Sequence, residues 1–273
     1  MPATPAWPPQ SAVRLFVEMP LSAGLSAGLS VGATVIIGGA QAHYLLHVMR
    51  MKTGSVLKLF DDVTGEWAAE VVSVAKRDLT LLVTTHLCPR EPVPDLWLGA
   101  ALIRRGRFDF LTEKACELGV ARFTPLITRR SVVDKVKPDR LRAQMIEAAE
   151  QCGRTALPLL DPETRFADWL RMLDGRTLFF ADETGGSPAR EAFATCRGPA
   201  AILIGPEGGF DDAERALARA YPHATAISLG PRILRAETAA IAAIAAWMAV
   251  AGDWSHSDGW EGWSTVTPDH RNL

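Results

Sequence analysis

The sequence predicts an α/β protein in which a small β-barrel precedes a parallel sheet covered by helices. Up to residue 88, short apolar runs are joined by tight turns such as Val63–Glu66, a pattern typical of small barrels. The segment Pro89–Asp95 is rich in proline, which indicates a stiff linker and a domain boundary. After this linker, apolar strands alternate with helical segments, and such alternation predicts a parallel sheet with helices on both faces.

The N-terminal part is predicted to consist mainly of strands. Residues 1–10 are rich in proline and are expected to be loose, and a first strand is predicted at Arg14–Met19. A predicted helix at Ala40–Met51 carries His43 and His47, whose spacing could bring both rings to one metal ion. Because no third ligand is evident, the sequence predicts no metal site. Further strands are predicted at Val56–Asp62, Trp67–Lys76 and Leu79–Leu87.

The second part is predicted to alternate strands and helices. One helix should end at Gly119, and another should begin near Pro138, a residue suited to a first helical turn. The last helix, from Glu237 to about Val250, is apolar nearly all round and is expected to be buried. The predicted strands are Leu96–Leu102, Arg122–Thr128, Thr177–Asp182, Ala201–Gly205 and Ala226–Gly230.

Two glycine-containing loops follow buried strands near the C-terminal end of this second part. The apolar run Ala201–Ile204 breaks into Gly205–Gly209, and Ala226–Gly230 leads into a second loop, Pro231–Thr238. Glycine permits unusual backbone angles and close approach of a ligand. Ligands of α/β proteins bind at the carboxyl ends of strands. We therefore expect the two loops to share one pocket.

Composition and charge narrow the possible classes of function. The 273 residues are 48% hydrophobic and 22% charged with a net charge of −2, as in a soluble globular protein. Basic residues outnumber acidic ones between positions 104 and 154, which suits either a polyanion-binding face or an ordinary solvated surface. The cysteines form no C-x-x-C pair, so neither a zinc site nor a redox dithiol is indicated. The longest apolar run, Ala239–Ala251, is too short to span a bilayer, and no signal peptide is evident. A cytoplasmic protein without membrane association is expected.

Several common motifs are absent or occur in an unsuitable context. The sequence has no G-x-x-x-x-G-K-[ST], no early G-x-G-x-x-G and no H-E-x-x-H. The late position of the glycine loops and the missing motifs argue against a nucleotide hydrolase and a standard Rossmann enzyme. The hydrolase motif G-x-S-x-G occurs at Ser26 and Ser30, but inside a repeat of small residues. A serine hydrolase is therefore an alternative that the context disfavours, since that motif needs a preceding strand and a following helix.

The motifs of the second part identify a family resemblance. The sequence contains, in this order, EKACELGV, TRRSVV, EAAEQCGRT, LIGPEGGF and SLGPRILRAETAA. These segments resemble the RsmE-type ribosomal RNA methyltransferases of the SPOUT superfamily. The N-terminal segments AHYLLHVMRMKTG and FDDVTGEW resemble the PUA-like domain of the same family. The resemblance rests on several separate motifs and covers most of the chain.

This resemblance implies transfer of a methyl group from S-adenosylmethionine to N3 of one uridine in small-subunit (16S) ribosomal RNA. It implies an N-terminal PUA-like β-barrel and a C-terminal SPOUT α/β domain with a deep trefoil knot. It also implies a homodimer with the active site at the interface, acting on ribosomal RNA or on the assembled small subunit. The expected domains are residues 1–90 and residues 91–252, and residues 253–273 form a tail that is expected to be disordered.

The S-adenosylmethionine site is expected at the two glycine loops. Glycines would let backbone groups approach a bent cofactor at Gly205, Gly208, Gly209 and Gly230. By resemblance, the site is lined by Leu203, Gly205, Leu229, Gly230, Ile233, Leu234 and Arg235. Pro206 and Glu207 belong to the same predicted site, although Glu207 could serve only to stabilise its own loop.

The chemistry of uridine points to a small set of candidate catalytic residues. Because N3 carries a proton at neutral pH, transfer needs a base, or a cation that stabilises the uridine anion. Arg154 and Arg235 are the candidate cations. Glu237 is a candidate base, or alternatively a carboxylate that stabilises the first turn of the last helix.

RNA contacts are expected from the barrel and from the basic segment. Phosphate contacts bind without specifying sequence, so basic side chains suit this role. Each residue alone could be a solvated surface charge. The candidates are Arg14, Arg50, Lys52, Arg104, Arg105, Lys114, Arg129, Arg130 and Arg154. A non-catalytic RNA-binding or assembly factor with the same fold is the main alternative, and the intact glycine loops disfavour it.

Overall fold

A computed structural model describes residues 12–18, 28–131, 133 and 135–255. The expectations for residues 1–10, for Ser26 and for most of the tail lie outside these ranges. The chain divides into two compact units. The first contains the described residues up to Pro92 together with Gly153–Ala156, and the second contains Val93–Cys152 and the described residues from Leu157 onward.

The first unit contains a five-stranded sheet in the order β1-β3-β4-β5-β2. Strand β1 pairs with β3 in parallel, and the other pairs are antiparallel. The predicted helix is shorter than expected: α1 (Gly39–His43) continues into one π-helical turn, Tyr44–Val48. The strands are β1 (Arg14–Phe16), β2 (Thr34–Ile37), β3 (Val56–Asp61), β4 (Gly65–Val74) and β5 (Leu79–Cys88).

Alternating apolar residues hold this unit together. On β5, Leu79, Leu81 and Val83 are buried in one cluster, because every second side chain of a strand points to the same face. The predicted turn between β3 and β4 is confirmed. The carboxylate of Asp61 accepts hydrogen bonds from the N–H groups of Val63 at 3.0 Å and Leu29 at 2.6 Å. Asp61 therefore stabilises the turn and also anchors the segment that precedes β2.

The second unit contains an eight-stranded sheet in which every pair is parallel. The strand order is β11-β13-β10-β12-β6-β7-β8, and β9 also pairs with β7. The predicted parallel sheet is thus confirmed, and the sequence missed only its short edge strands. The strands are β6 (Leu96–Ala101), β7 (Arg122–Ile127), β8 (Leu159–Leu160), β9 (Thr164–Arg165), β10 (Thr177–Ala181), β11 (Ser187–Pro188), β12 (Ala200–Ile204) and β13 (Ala224–Ser228).

The helices of the second unit follow local sequence signals. Gly119, with a φ of +87°, follows the end of α2, and Pro138 is the first residue of α3, as predicted. Helix α6 begins with a capping box between Asp211 and Glu214. The helices are α2 (Arg105–Glu117), α3 (Pro138–Cys152), α4 (Phe166–Met172), α5 (Ala189–Ala194), α6 (Asp212–Ala220) and α7 (Ala236–Ala251), followed by a 3₁₀ turn at Asp253–Ser255.

Helix α7 is less buried than its composition predicts. Ala240, Ala243, Ile244, Trp247 and Met248 are buried and lie on one face of the helix. Most of the remaining positions are half-buried alanines. Their small side chains allow other groups to pack there, but the helix does not depend on such packing. Within the part of the chain that the structure describes, no helix is both long and apolar enough to cross a membrane.

Candidate functional site

Three loops at one edge of the second sheet form a cleft. Strand β10 lies between β12 and β13, so the carboxyl ends of all three strands meet at that edge. The loops that follow them line a cavity of about 400 Å³, together with Arg107 from α2 and the start of α7. The predicted pocket shared by two glycine loops is therefore confirmed. A third loop, after β10, completes it.

Most of the predicted cofactor residues line this cleft. They are Gly205, Pro206, Glu207, Gly209, Leu229, Gly230, Ile233, Leu234 and Arg235. Leu203 and Gly208 are outside the lining. Leu203 is fully buried in the core beside Phe210, and its neighbour Ile204 faces the cleft instead, because side chains alternate along a strand.

Gly209 and Gly230 occupy backbone conformations that favour glycine. Their φ angles are +67° and +112°. A Cβ atom on Gly209 would lie 2.3 Å from Oε1 of Glu183, so a larger residue would displace that carboxylate. Glycine is favoured at position 209 mainly by its positive φ.

The loop after β10 carries an acidic pair that the sequence reasoning missed. Asp182 is buried, and its carboxylate accepts hydrogen bonds from Thr184 N–H at 3.0 Å and from Arg219 at 2.8 Å. Burial raises the pKa of Asp182, but the hydrogen bonds of Thr184 and Arg219 and the charge of Arg215 outweigh burial and hold that pKa below its usual value. Asp182 and Glu183 both line the cleft. The signal was an acid directly after the strand TLFFA, followed by two glycines.

Arg107 joins two walls of the cleft. Its guanidinium donates a hydrogen bond to the carboxylate of Glu207, and its Nε lies 3.7 Å from Oε1 of Glu237. Glu237 is in the first turn of α7, and its side chain is only 11% exposed. Its second oxygen, Oε2, is buried and has no hydrogen-bond donor among the described residues. Arg235, the N-cap residue of α7, is exposed at the cleft.

Comparison with known proteins decides the family. A family model for an RNA methyltransferase domain matches residues 89–248, and one for an RNA methyltransferase PUA domain matches residues 37–84. The chain is 33% identical to ribosomal RNA small subunit methyltransferase E of Rickettsia conorii, covering 74% of this chain and 84% of that protein. It is 34% identical to the protein of the same name from Synechocystis, covering 78% and 72%.

The chain belongs to the ribosomal RNA small subunit methyltransferase E family. The resemblance drawn from the motifs is thus confirmed, as are an α/β fold with a PUA domain and a methyltransferase domain built on a parallel sheet. A crystal structure of the methyltransferase E of Neisseria gonorrhoeae bound to S-adenosylmethionine superposes with a TM-score of 0.76 at 27% identity. It covers 89% of this chain and 99% of that one.

Arg154, a candidate cation for this family's reaction, lies in the first unit and is buried. Its side chain is 5% exposed, and its Nε lies 3.3 Å from Oε1 of Glu91. The same carboxylate oxygen accepts hydrogen bonds from the N–H groups of Thr155 and Ala156, each at 3.2 Å. These contacts fix the segment around Arg154, and its catalytic role stays a prediction.

The predicted RNA-binding residues fall into two groups. Arg50, Lys52, Arg104 and Arg105 are exposed, and their side chains form no hydrogen bond or ion pair among the described residues. The side chains of the other candidates form hydrogen bonds or ion pairs with protein groups. Arg14 pairs with Glu66, and Lys114 lies 2.8 Å from the carboxylates of both Glu113 and Glu117.

Arg129 and Arg130 contact the loop after β12. The Arg130 guanidinium donates to the carbonyl of Gly208 at 2.7 Å, and Arg129 lies 3.1 Å from the carboxylate of Asp211. The Arg129 side chain is nevertheless 71% exposed. Both arginines therefore contact the loop between β12 and α6, which also lines the cleft.

His43 and His47 contact each other, and Ser30 lies in a loop. The rings of His43 and His47 contact each other with centroids 4.6 Å apart. Ser30 precedes a turn and then strand β2 rather than a helix. Because a nucleophile elbow requires a strand before the serine and a helix after it, Ser30 does not fit that motif.

Proposed function

We propose that this protein transfers the methyl group of S-adenosylmethionine to N3 of a uridine in small-subunit ribosomal RNA. The observation that carries the proposal is the cleft at the ends of β10, β12 and β13, with two glycine loops, in a member of this family. The choice of uridine N3 as the methylated atom rests on the family resemblance.

The cleft suits the methyl donor in shape and composition. When bound, S-adenosylmethionine supplies a sulfonium methyl group that needs little activation, so holding the reactants in position provides much of the rate. Leu229, Ile233 and Leu234 offer an apolar wall for the adenine ring. Ile233 is 95% exposed, and the burial of such a side chain beneath a ligand would be favourable. The backbone amides of the loops would bind the polar groups of the donor.

The acceptor side of the reaction needs proton removal from uridine N3. Arg235 is exposed at the cleft and is placed to stabilise the developing uridine anion. Glu237 has a buried carboxylate oxygen without a donor among the residues that the structure covers, a feature that suits a base. Arg107 is the cation close to that carboxylate. Arg154 is proposed as a second stabilising cation.

The proposed RNA surface has a phosphate-binding character. Its exposed members are Arg50 and Lys52 in the PUA domain and Arg104 and Arg105 at the start of α2. Because phosphate contacts release counterions, RNA binding should weaken steeply with salt. The remaining candidates already lie beside a protein acceptor or carboxylate, so we expect weaker RNA contacts from them; they are Arg14, Lys114, Arg129, Arg130 and Arg154.

The finer architecture is part of the proposal. We propose a closed PUA-like barrel, a deep trefoil knot at the cleft and a homodimer with the active site at its interface. The knot and the dimer rest on the family resemblance. Domains at residues 1–90 and 91–252 and a cytoplasmic location complete the proposal.

The decisive experiment is mapping of methylated nucleosides in ribosomal RNA. A deletion strain should lack one N3-methyluridine of the small subunit, and the gene should restore it. If the modification persists in the deletion strain, the proposed activity is wrong. A non-catalytic assembly factor would instead leave the methylation pattern intact, and it would show no binding of S-adenosylmethionine at millimolar concentration by isothermal titration.

A further inference from the structure

The N-terminal turn of α2 is positively charged, which is unfavourable at the start of a helix. It carries Arg104 at the N-cap position, then Arg105 and Arg107, and it has no acidic residue in its first turn. The positive end of the helix dipole disfavours cations there, typically by about 0.3–1 kcal/mol each. A local arrangement that opposes helix stability is expected at functional sites. Arg104 and Arg105 face solvent, whereas Arg107 lines the cleft.

Arg107 contacts carboxylates from two separate elements. Glu207 lies in the loop after β12, and Glu237 lies in the first turn of α7. The guanidinium hydrogen-bonds the first and lies 3.7 Å from the second. A guanidinium presents several N–H groups in a fixed plane, so it can engage two carboxylates at once, which a lysine ammonium does with less geometric control.

The two tethered elements both contribute to the cleft lining. The loop after β12 and the segment Leu229–Ala236 line it, and Glu237 directly follows the second segment. The buried Oε2 of Glu237 lacks a donor among the described residues, so Arg107 is the cation that stabilises this carboxylate in the second unit as described. Removing Arg107 would leave two facing carboxylates without their shared cation.

We propose that Arg107 is a positioning residue that ties the loop after β12 to the start of α7 and so fixes the width of the donor site. This inference rests on the proposed function. Arg107 acts through Glu207 and Glu237, not on the reacting atoms. Donor affinity therefore depends on the bridge, because a preorganised cleft does not have to order its loops during binding.

The test measures S-adenosylmethionine affinity by isothermal titration for Arg107→Ala, Arg107→Lys and Glu207→Gln, alone and combined. Displacement of a cleft wall should weaken donor binding by about tenfold to a hundredfold in Arg107→Ala. Arg107→Lys should recover part of the loss. The Glu207→Gln change should cost much less in the Arg107→Ala background than in the native protein, since both changes break the same bridge.

Arg105→Ala is the matched control, since it removes the same charge from the same helical turn but breaks no bridge. It should leave donor affinity unchanged, and Arg107→Ala should raise KM for the donor more than it lowers kcat. Equal donor affinities for Arg105→Ala and Arg107→Ala would overturn the inference. Additive losses in the double variant would also overturn it. A native protein that fails to bind S-adenosylmethionine would instead refute the proposed function itself.

Discussion

Two groups of arginines in this protein differ in what surrounds them. In the first unit, Arg14 lies against Glu66 and the carbonyl of Gly153, and Arg154 lies against Glu91. Both side chains are largely buried. In the second unit, Arg104 and Arg105 are exposed at the start of a helix, and Arg235 is exposed at the cleft.

The difference separates arginines that hold the fold from arginines that are available to a ligand. A buried guanidinium needs its carboxylate, since an unpaired buried charge is costly. An exposed guanidinium at a helix start contributes little to stability and is open to an anionic ligand. Sequence motifs place both kinds in the same predicted set, because side-chain burial is decided by long-range packing.

The largest effect is expected at the glycine loop of the cleft. A Cβ on Gly205 would lie 3.0 Å from the ring of Phe210, which is buried in the core, so Gly205→Val should displace this loop and abolish binding of S-adenosylmethionine. We expect a loss of at least about a hundredfold in affinity by isothermal titration. Gly198→Val is the control, because its Cβ would meet open space. Retained affinity in Gly205→Val would refute the assignment of the pocket.

This loop also shows how far sequence reasoning could reach. The strand and the glycine loop are local features, and the sequence predicted them correctly. Which face of β12 meets the cleft was not predictable, because Ile202, Leu203 and Ile204 are apolar on both sides and no polar residue indicates the exposed face. Structure shows that Leu203 packs inward and that Ile204 lines the cleft.

Long-range pairs were equally hidden from the sequence. Arg107 and Glu207 are 100 residues apart, and no local pattern links them. The loop after β10, however, could have been predicted from the sequence. The same argument that found the other two loops applies to Asp182, which directly follows an apolar strand and precedes Gly185 and Gly186.

The next largest effect is expected in the first group of arginines. Arg154→Ala should remove about 3 kcal/mol of stability, because it deletes a buried guanidinium that pairs with Glu91. It should spare S-adenosylmethionine binding and abolish turnover if Arg154 is catalytic. Thermal unfolding, isothermal titration and a methyl-transfer assay separate these effects. The double variant Arg154→Met with Glu91→Gln removes both charges but keeps a side-chain oxygen that accepts from Thr155 and Ala156, and full turnover in it would show that Arg154 is only structural.

A smaller effect concerns the stability of the protein at acidic pH, to which Asp182 in the cleft contributes. The pKa of Asp182 is lower in the folded protein than in the unfolded chain, where it is about 3.9, so its ionised form stabilises the fold. That contribution is complete well above pH 3.9 and is lost as the pH falls through the folded pKa. Asp182→Asn should therefore lose stability at neutral pH and show a flatter decline between about pH 5 and pH 2. Asp168→Asn, on an exposed pair with Arg171, is the control and should follow the native curve.

The smallest expected effect compares the contributions of the exposed Arg105 and the paired Lys114, both in α2, to RNA binding. Arg105→Ala should lower the slope of log affinity for RNA against log salt by about one unit, the value expected for one lost phosphate contact. Lys114 lies between the carboxylates of Glu113 and Glu117, and these hydrogen bonds raise its pKa. A lysine whose charge is already matched releases fewer counterions, so Lys114→Ala should leave the slope nearly unchanged. Equal slopes in the two variants, measured by filter binding across a salt series, would show that exposure and pairing do not separate the RNA-binding cations from the rest.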